Sequence, residues 1–181
     1  MNKSVYDSPE QVLESKRHIL TILVDNEPGV LAKVIGMFSG RGYNIDSLNV
    51  AEVSNDEHLS RITIVTQGTT EVVSQIEKQL LRIVPVHSVT NLDKEGSAVE
   101  AEVALVSIDV NESNKKNIYQ ICDFYRARKI ENENNLIVFE IAGASERINS
   151  FIKEISEITK NEIVRSGPVA ISTFEKNEVK K

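Results

Sequence analysis

The sequence predicts an α+β protein of two successive halves, each a four-stranded sheet covered on one face by two helices. Three observations carry this. Short apolar runs suited to strands alternate with amphipathic helical patterns. The order strand-helix-strand-strand-helix-strand occurs twice, and a polar linker over 93–100, containing Gly96, separates the two occurrences. At 181 residues the chain has room for two small domains.

Residues 18–24 (HILTILV) are a short apolar run fit for a buried strand. The run stops at Asp25-Asn26-Glu27-Pro28-Gly29. Val30, Leu31, Val34, Ile35 and Phe38 then fall at helical spacing and give one apolar stripe. Pro28 suits the first turn of that helix, where its missing N–H costs nothing. Gly40 and Gly42 supply the stop. Residues 44–53 and 59–66 are two further strands, joined by the polar turn Ser54-Asn55-Asp56-Glu57; in the second, Ile62 and Ile64 alternate with Arg61, Thr63 and Val65. Thr69 or Thr70 caps a second helix whose face is Val73, Ile76 and Leu80. Residues 84–92 return as a strand, with Pro85 near its start or on an edge.

After the linker the plan repeats. Residues 101–110 alternate like a strand, and Asn114 caps a helix with Ile118, Ile121, Cys122 and Tyr125 on one face. Two short strands flank 132–135, the second over 136–142. Ser145 caps a helix carrying Ile148, Phe151, Ile152, Ile155 and Ile158, and 162–173 close the sheet as one strand. Each half is therefore expected to be a ferredoxin-like βαββαβ sandwich. Domains this small have modest cores, and their edge strands need cover, which favours pairing of subunits. The expected division is a polar extension over 1–17 with a short helical turn after Ser8-Pro9, a domain over 18–92, the linker, a domain over 101–174 and a polar tail over 175–181.

Composition narrows the function. A net charge of −6 argues against general nucleic-acid binding, where a basic face supplies most of the affinity. Five Phe, four Tyr and no Trp leave little aromatic surface for stacking bases. No apolar run approaches the roughly 20 residues that cross a bilayer, and the lead-in lacks the apolar stretch of a signal peptide. With Cys122 as the single cysteine, an intrachain disulfide and a cysteine metal cluster are both excluded. A cytoplasmic location is the default expectation.

Catalytic chemistry is not legible. His18, His58 and His87 are scattered without metal-ligand spacing, and His18 and His58 read as solvated or structural. Cys122 lies on an apolar helix face and reads as core. Neither GxxxxGK[ST] nor GxGxxG occurs. Arg126, Arg128 and Lys129 cluster at a helix end. A solvated cap favoured by the helix dipole explains them, and contact with an acidic partner is the sharper alternative.

The first turn has a chemistry of its own. A helix beginning there points unpaired N–H groups outward near 29–31, and its dipole favours an anion. Gly29 lets a ligand approach the backbone, and Asn26 offers a carbonyl acceptor and amide donors. The plain alternative is a good helix start, since Pro-Gly before a helix is common.

The text of the first half resembles the ACT domain of acetohydroxyacid synthase small subunits. The resemblance rests on Asn26-Glu27-Pro28-Gly29-Val30-Leu31, Arg41-Gly42-Tyr43-Asn44-Ile45, Leu59-Ser60-Arg61-Ile62-Thr63 and Gln75-Ile76-Glu77-Lys78-Gln79-Leu80, and covers about residues 18–92. In the second half, Phe124-Tyr125-Arg126-Ala127 and Arg165-Ser166-Gly167 resemble the family more loosely. The Asn-rich turn over 132–135 and the tail from Thr173 depart from it.

The resemblance implies a non-catalytic regulatory chain that activates a separate catalytic subunit. That partner uses thiamine diphosphate, and Mg and FAD belong with it, so this chain is expected to bind no cofactor and no metal. It implies feedback inhibition by a branched-chain amino acid, valine first. It also implies a homodimer through the ACT domains, in which a second copy completes the pocket with the segment holding Asn44 and Ile45. The effector site then comprises Asn26, Pro28, Gly29, Val30, Leu31, Asn44 and Ile45, with Ile45 and Leu31 as the apolar wall. The first helix, joining pocket to dimer contact, is the expected transmitter. The rival reading is a free-standing ACT-type amino-acid sensor regulating another protein. The absence of an evident helix-turn-helix lowers it.

Overall fold

A computed structural model describes residues 14–54, 56–94, 98–133 and 135–173, with 132 and 133 described by backbone alone. The expected turn after Ser8-Pro9, the centre of the linker at 95–97 and the polar tail lie outside the described residues.

The first half runs β1 (Lys16–Asp25), α1 (Val30–Ser39), β2 (Ser47–Ser54), β3 (Leu59–Gly68), α2 (Thr70–Leu80) and β4 (Val86–Asn91). Its strands form one antiparallel sheet in the order β2-β3-β1-β4. Leu20 and Ile22 of β1 lie opposite Ile64 and Ile62 of β3, so one face gathers the large aliphatic side chains. Val30, Val34 and Phe38 of α1, and Val73, Ile76 and Leu80 of α2, close over that face. Each such side chain contributes about 1.5–3 kcal/mol by leaving water. Thr69 caps α2, its side chain accepting from Val72 N.

The second half runs β5 (Ala98–Asp109), α3 (Lys115–Phe124), β6 (Arg128–Glu133), β7 (Leu136–Gly143), α4 (Ser145–Ile158), β8 (Asn161–Arg165) and β9 (Val169–Ser172). The sheet order β6-β7-β5-β8 repeats that of the first half, with β5 in the place of β1. Its core joins Val106, Ile108, Phe139 and Ile141 to Ile118, Cys122, Ile148, Phe151 and Ile155. Tyr125 meets Phe151 edge-on, with ring centroids 5.5 Å apart. Its hydroxyl donates to Glu154, which pushes the phenol pKa up. Both halves are thus the expected α+β sandwiches.

The structure corrects four details. The closing segment is two strands, not one: Gly167, at φ +73°, turns the chain, and Pro168 follows without an N–H. β9 therefore leaves the sheet and pairs with Ala98–Ala101, the first residues of β5, so β5 begins inside the expected linker. Pro28 lies outside the helix, because the left-handed Gly29 is the N-cap of α1. The N-cap of α4 is Ala144, which makes Ser145 the first helical residue with no capping bond. Asn114 is the N-cap of α3, but its side chain turns back, its Oδ1 accepting from Asn111 N and its Nδ2 donating to Asp109 O.

β9 also joins the halves. Ala170 is buried with Ile19, Val65 and Leu92, on the face of the first sheet that the helices leave bare. Arg17 pairs with Glu100 at 2.6 Å across the same joint. The bare face of the second sheet stays open, and Val164, opposite Leu105, is 61% exposed.

A candidate effector site at the first strand-helix turn

β1 ends in a fixed frame. Asp25 N donates to Pro85 O at 3.0 Å and Asn26 N to His58 O at 2.6 Å. The Asp25 carboxylate also meets His87 Nε2 at 2.5 Å. From this frame Asn26, Glu27, Pro28 and Gly29 run exposed into α1.

Gly29 adopts φ +87°, and nothing lies within 4 Å of the position a Cβ would take. The backbone is therefore approachable from solvent. α1 has no side-chain cap and no acidic residue in its first turn, so apart from Val30 N, which donates to Glu27 O at 3.4 Å, its positive end has no compensating group from that turn. A carboxylate placed there would meet backbone N–H groups, and Asn26 stands beside it. Leu31 is 36% exposed and offers apolar surface at the rim. Val30 is 3% exposed, its side chain packed in the core, so it offers a ligand only its backbone.

Asn44 and Ile45 lie elsewhere. Asn44 O accepts from Thr66 Oγ1, near the far end of β3, and Asn44 Nδ2 donates to Asp46. Ile45 is half-buried against the first core. Thr66 lies opposite His18, whereas the first turn follows Asp25, opposite Leu59. Seven strand steps between these pairs amount to about 23 Å. One copy of the chain thus brings together Asn26, Pro28, Gly29, Val30 and Leu31, and holds Asn44 and Ile45 at the opposite end.

Other groups fall into place. His18 is 8% exposed, so it is structural rather than solvated; its Nδ1 lies 3.6 Å from Asp93. Cys122 is buried, and burial first, then the Asp123 charge, pushes its thiol up to about 12. Arg128 pairs with Glu140, which accounts for one member of the basic cluster. Among the described residues no group of three His, Cys, Asp or Glu could hold a metal ion, and no helix is long and apolar enough to cross a membrane. Sequence reasoning missed two features: the Asp25–His87 pair at the rim, and the contacts of residues 165–168 across the joint. For the second, the adjacent Gly167 and Pro168 were the available signal.

Comparison with known proteins agrees with this architecture. Residues 20–88 match the profile described as the AHAS small subunit-like ACT domain, and residues 101–173 that described as the small subunit of acetolactate synthase. The chain is 40% identical over 161 residues to the acetolactate synthase isozyme 3 small subunit of Escherichia coli (strain K12), covering 88% of this chain and 98% of that one. It is 34% identical over 155 residues to a probable acetolactate synthase small subunit of Archaeoglobus fulgidus, covering 86% and 96%. The crystal structure of the Thermotoga maritima acetolactate synthase small subunit superposes with a TM-score of 0.78 at 34% identity, covering 88% of this chain and 99% of that one. The chain therefore belongs to the family of acetolactate synthase small subunits, the non-catalytic regulatory partners of that enzyme, built on an ACT domain.

Proposed function

We propose that this chain activates the catalytic subunit of acetolactate synthase and makes it sensitive to inhibition by a branched-chain amino acid, valine first. The observation that carries the reading is the uncapped N-terminus of α1 behind Gly29, open to solvent beside Asn26. It supplies what an amino acid's carboxylate needs. Asn44 and Ile45 complete the pocket from a second copy, paired two-fold through the first domains so that one copy's far end meets the other's turn. This supports a homodimer, because one chain separates the two halves of the site. Ile45 and Leu31 then face the branched side chain. Thiamine diphosphate, Mg and FAD reside on the catalytic subunit, and this chain holds none of them. A ligand this small binds modestly, with Kd on the order of 10 μM to 1 mM.

The test is acetolactate formation by the catalytic subunit of the same organism, with and without this chain, across a valine titration. The expected result is stimulation together with valine inhibition, the inhibition lost in Gly29→Asp and the stimulation kept. Stimulation without inhibition discards valine as the effector. No effect and no complex on gel filtration would overturn the proposal in favour of a free-standing amino-acid sensor.

A further inference from the structure

The segment Arg165-Ser166-Gly167-Pro168 is attached on two sides. On one side it is bound to the second domain. The Arg165 guanidinium grips Glu102, whose side chain is 1% exposed, and reaches Asn149 Oδ1 at 2.6 Å. Ser166 N donates to Val103 O at 2.9 Å, and Ser166 Oγ accepts from Val103 N at 3.0 Å. The segment thus moves with β5.

On the other side it presses on the first domain. A Cβ built on Gly167 would overlap the Ser47 hydroxyl and sit 3.2 Å from both Ser47 Cβ and Asn49 Nδ2. A side chain there would force Ser47 and Asn49 to give way, and the left-handed φ of +73° adds strain of its own. Pro168 O accepts from Asn49 Nδ2 at 3.0 Å, and Ala170 is buried on the first sheet. Ser47 and Asn49 open β2, and β2 follows directly from Asn44 and Ile45. Asp46 N is fixed to Val65 O at 2.8 Å, next to the buried inter-domain cluster that holds Val65 and Ala170. Beside the contact lies a polar cleft of about 500 Å³, lined by Arg17, Asp46, Glu102 and Asn149.

We propose that residues 165–168 are an inter-domain latch that carries occupancy of the amino-acid site from 44–46, through the start of β2, to β5 and the second domain. The latch itself rests on these contacts, and the signal it carries rests on the effector reading above. A close-packed contact suits this role, because it transmits a displacement rather than absorbing it. Coupling between two sites needs an element whose arrangement both of them bias.

The experiment is amide hydrogen exchange on the full chain, wild type against Asn49→Ala and Gly167→Ala, each with and without millimolar valine. Asn49→Ala removes one hydrogen bond without backbone strain, so it decides the matter should Gly167→Ala not fold. In both variants exchange across 44–49 is expected to quicken roughly three- to tenfold, while the core of β1 keeps its wild-type protection. In the wild type, valine slows exchange at 26–31 and 44–46 and also at 98–103 and 165–170. In the variants the first response persists and the second disappears. Slowing at 26–46 with 98–103 and 165–170 unmoved would overturn the latch and leave the effector site standing. No response to valine, leucine or isoleucine anywhere would sink the effector reading instead. The variants alone would then decide: quickened exchange across 44–49 keeps the latch, and unchanged exchange overturns it.

Discussion

The two halves repeat one topology, and their first strand-helix turns end it differently. In the first half the turn is exposed, Gly29 is left-handed, and the α1 terminus has no side-chain partner. In the second half α3 likewise has no side-chain cap and no acidic residue in its first turn, but the turn before it is tied by its own side chains. Asn111 Oδ1 accepts from Ser113 N at 3.0 Å and Asn114 N at 3.2 Å, and both Asn114 side-chain groups are bonded to the backbone. The fold builds an uncapped helix terminus in both places, and what differs is the turn before it: a left-handed Gly29 that leaves the backbone bare, against side chains bonded to their own backbone. On the proposed reading, function resides in a few residues grafted on a repeated scaffold.

The comparison extends to the sheets. The bare face of the first is partly covered by Ala170 of β9, whereas the second leaves Val103, Leu105 and Val164 exposed. On the proposed reading the first half supplies the effector site and the second the latch at 165–168.

The largest expected effects come from the two cores. Phe38 and Phe151 are each fully buried, so Phe38→Ala and Phe151→Ala should each lower stability by about 3–5 kcal/mol in urea unfolding. Phe38→Ala should abolish effector binding, whereas Phe151→Ala should leave it measurable. Equal loss of binding in both would break the division of labour between the halves.

Cys122 tests how tightly the second core is closed. Its thiol, pushed from 9.0 up to about 12, stays protonated in the folded chain. Iodoacetamide at pH 8.5 should label it at least about 100-fold more slowly than a free thiol. The folded state holds a proton that the unfolded chain releases above about 9. Stability from this group is therefore full below pH 9 and declines as pH rises towards 12. Rapid labelling under native conditions would mean that the second domain opens readily.

Helix starts give the smallest contrast. Thr69→Ala removes a capping bond and should cost about 1 kcal/mol by thermal unfolding. Ser145→Ala, at a position without one, should change stability by less than about 0.5 kcal/mol. Equal costs would mean that Ser145 caps α4 after all.

The repeated βαββαβ order was legible in the sequence, because period-2 and helical patterns are local properties. Three things were not. The apolar residues Ile163, Val164, Val169 and Ile171 continue a strand pattern through Gly167 and Pro168. Gly167 and Pro168 mark the break, but what they turn the chain against, Ser47 of the first domain, is distant in the sequence. Pro28 was misplaced by two residues and Ser145 by one, because a cap depends on backbone dihedral angles: Gly29 at φ +87° is the N-cap of α1 and leaves Pro28, expected in the first turn, outside the helix. The residues of the candidate site were legible as a motif, but the distance between them was not: the resemblance gave Asn44 and Ile45 to a second copy, and only the length of β1 and β3 shows that one chain holds them at the opposite end from Gly29.

The central claim is that the first turn, and not its counterpart, holds the amino acid. The direct measurement is calorimetric titration of the full chain with valine, leucine and isoleucine, comparing wild type, Gly29→Asp and Asn111→Asp. The expected result is one site per chain of micromolar to millimolar Kd, weakened at least about 30-fold (~2 kcal/mol) by Gly29→Asp and unchanged by Asn111→Asp. Binding that survives Gly29→Asp, or that falls with Asn111→Asp, would contradict it.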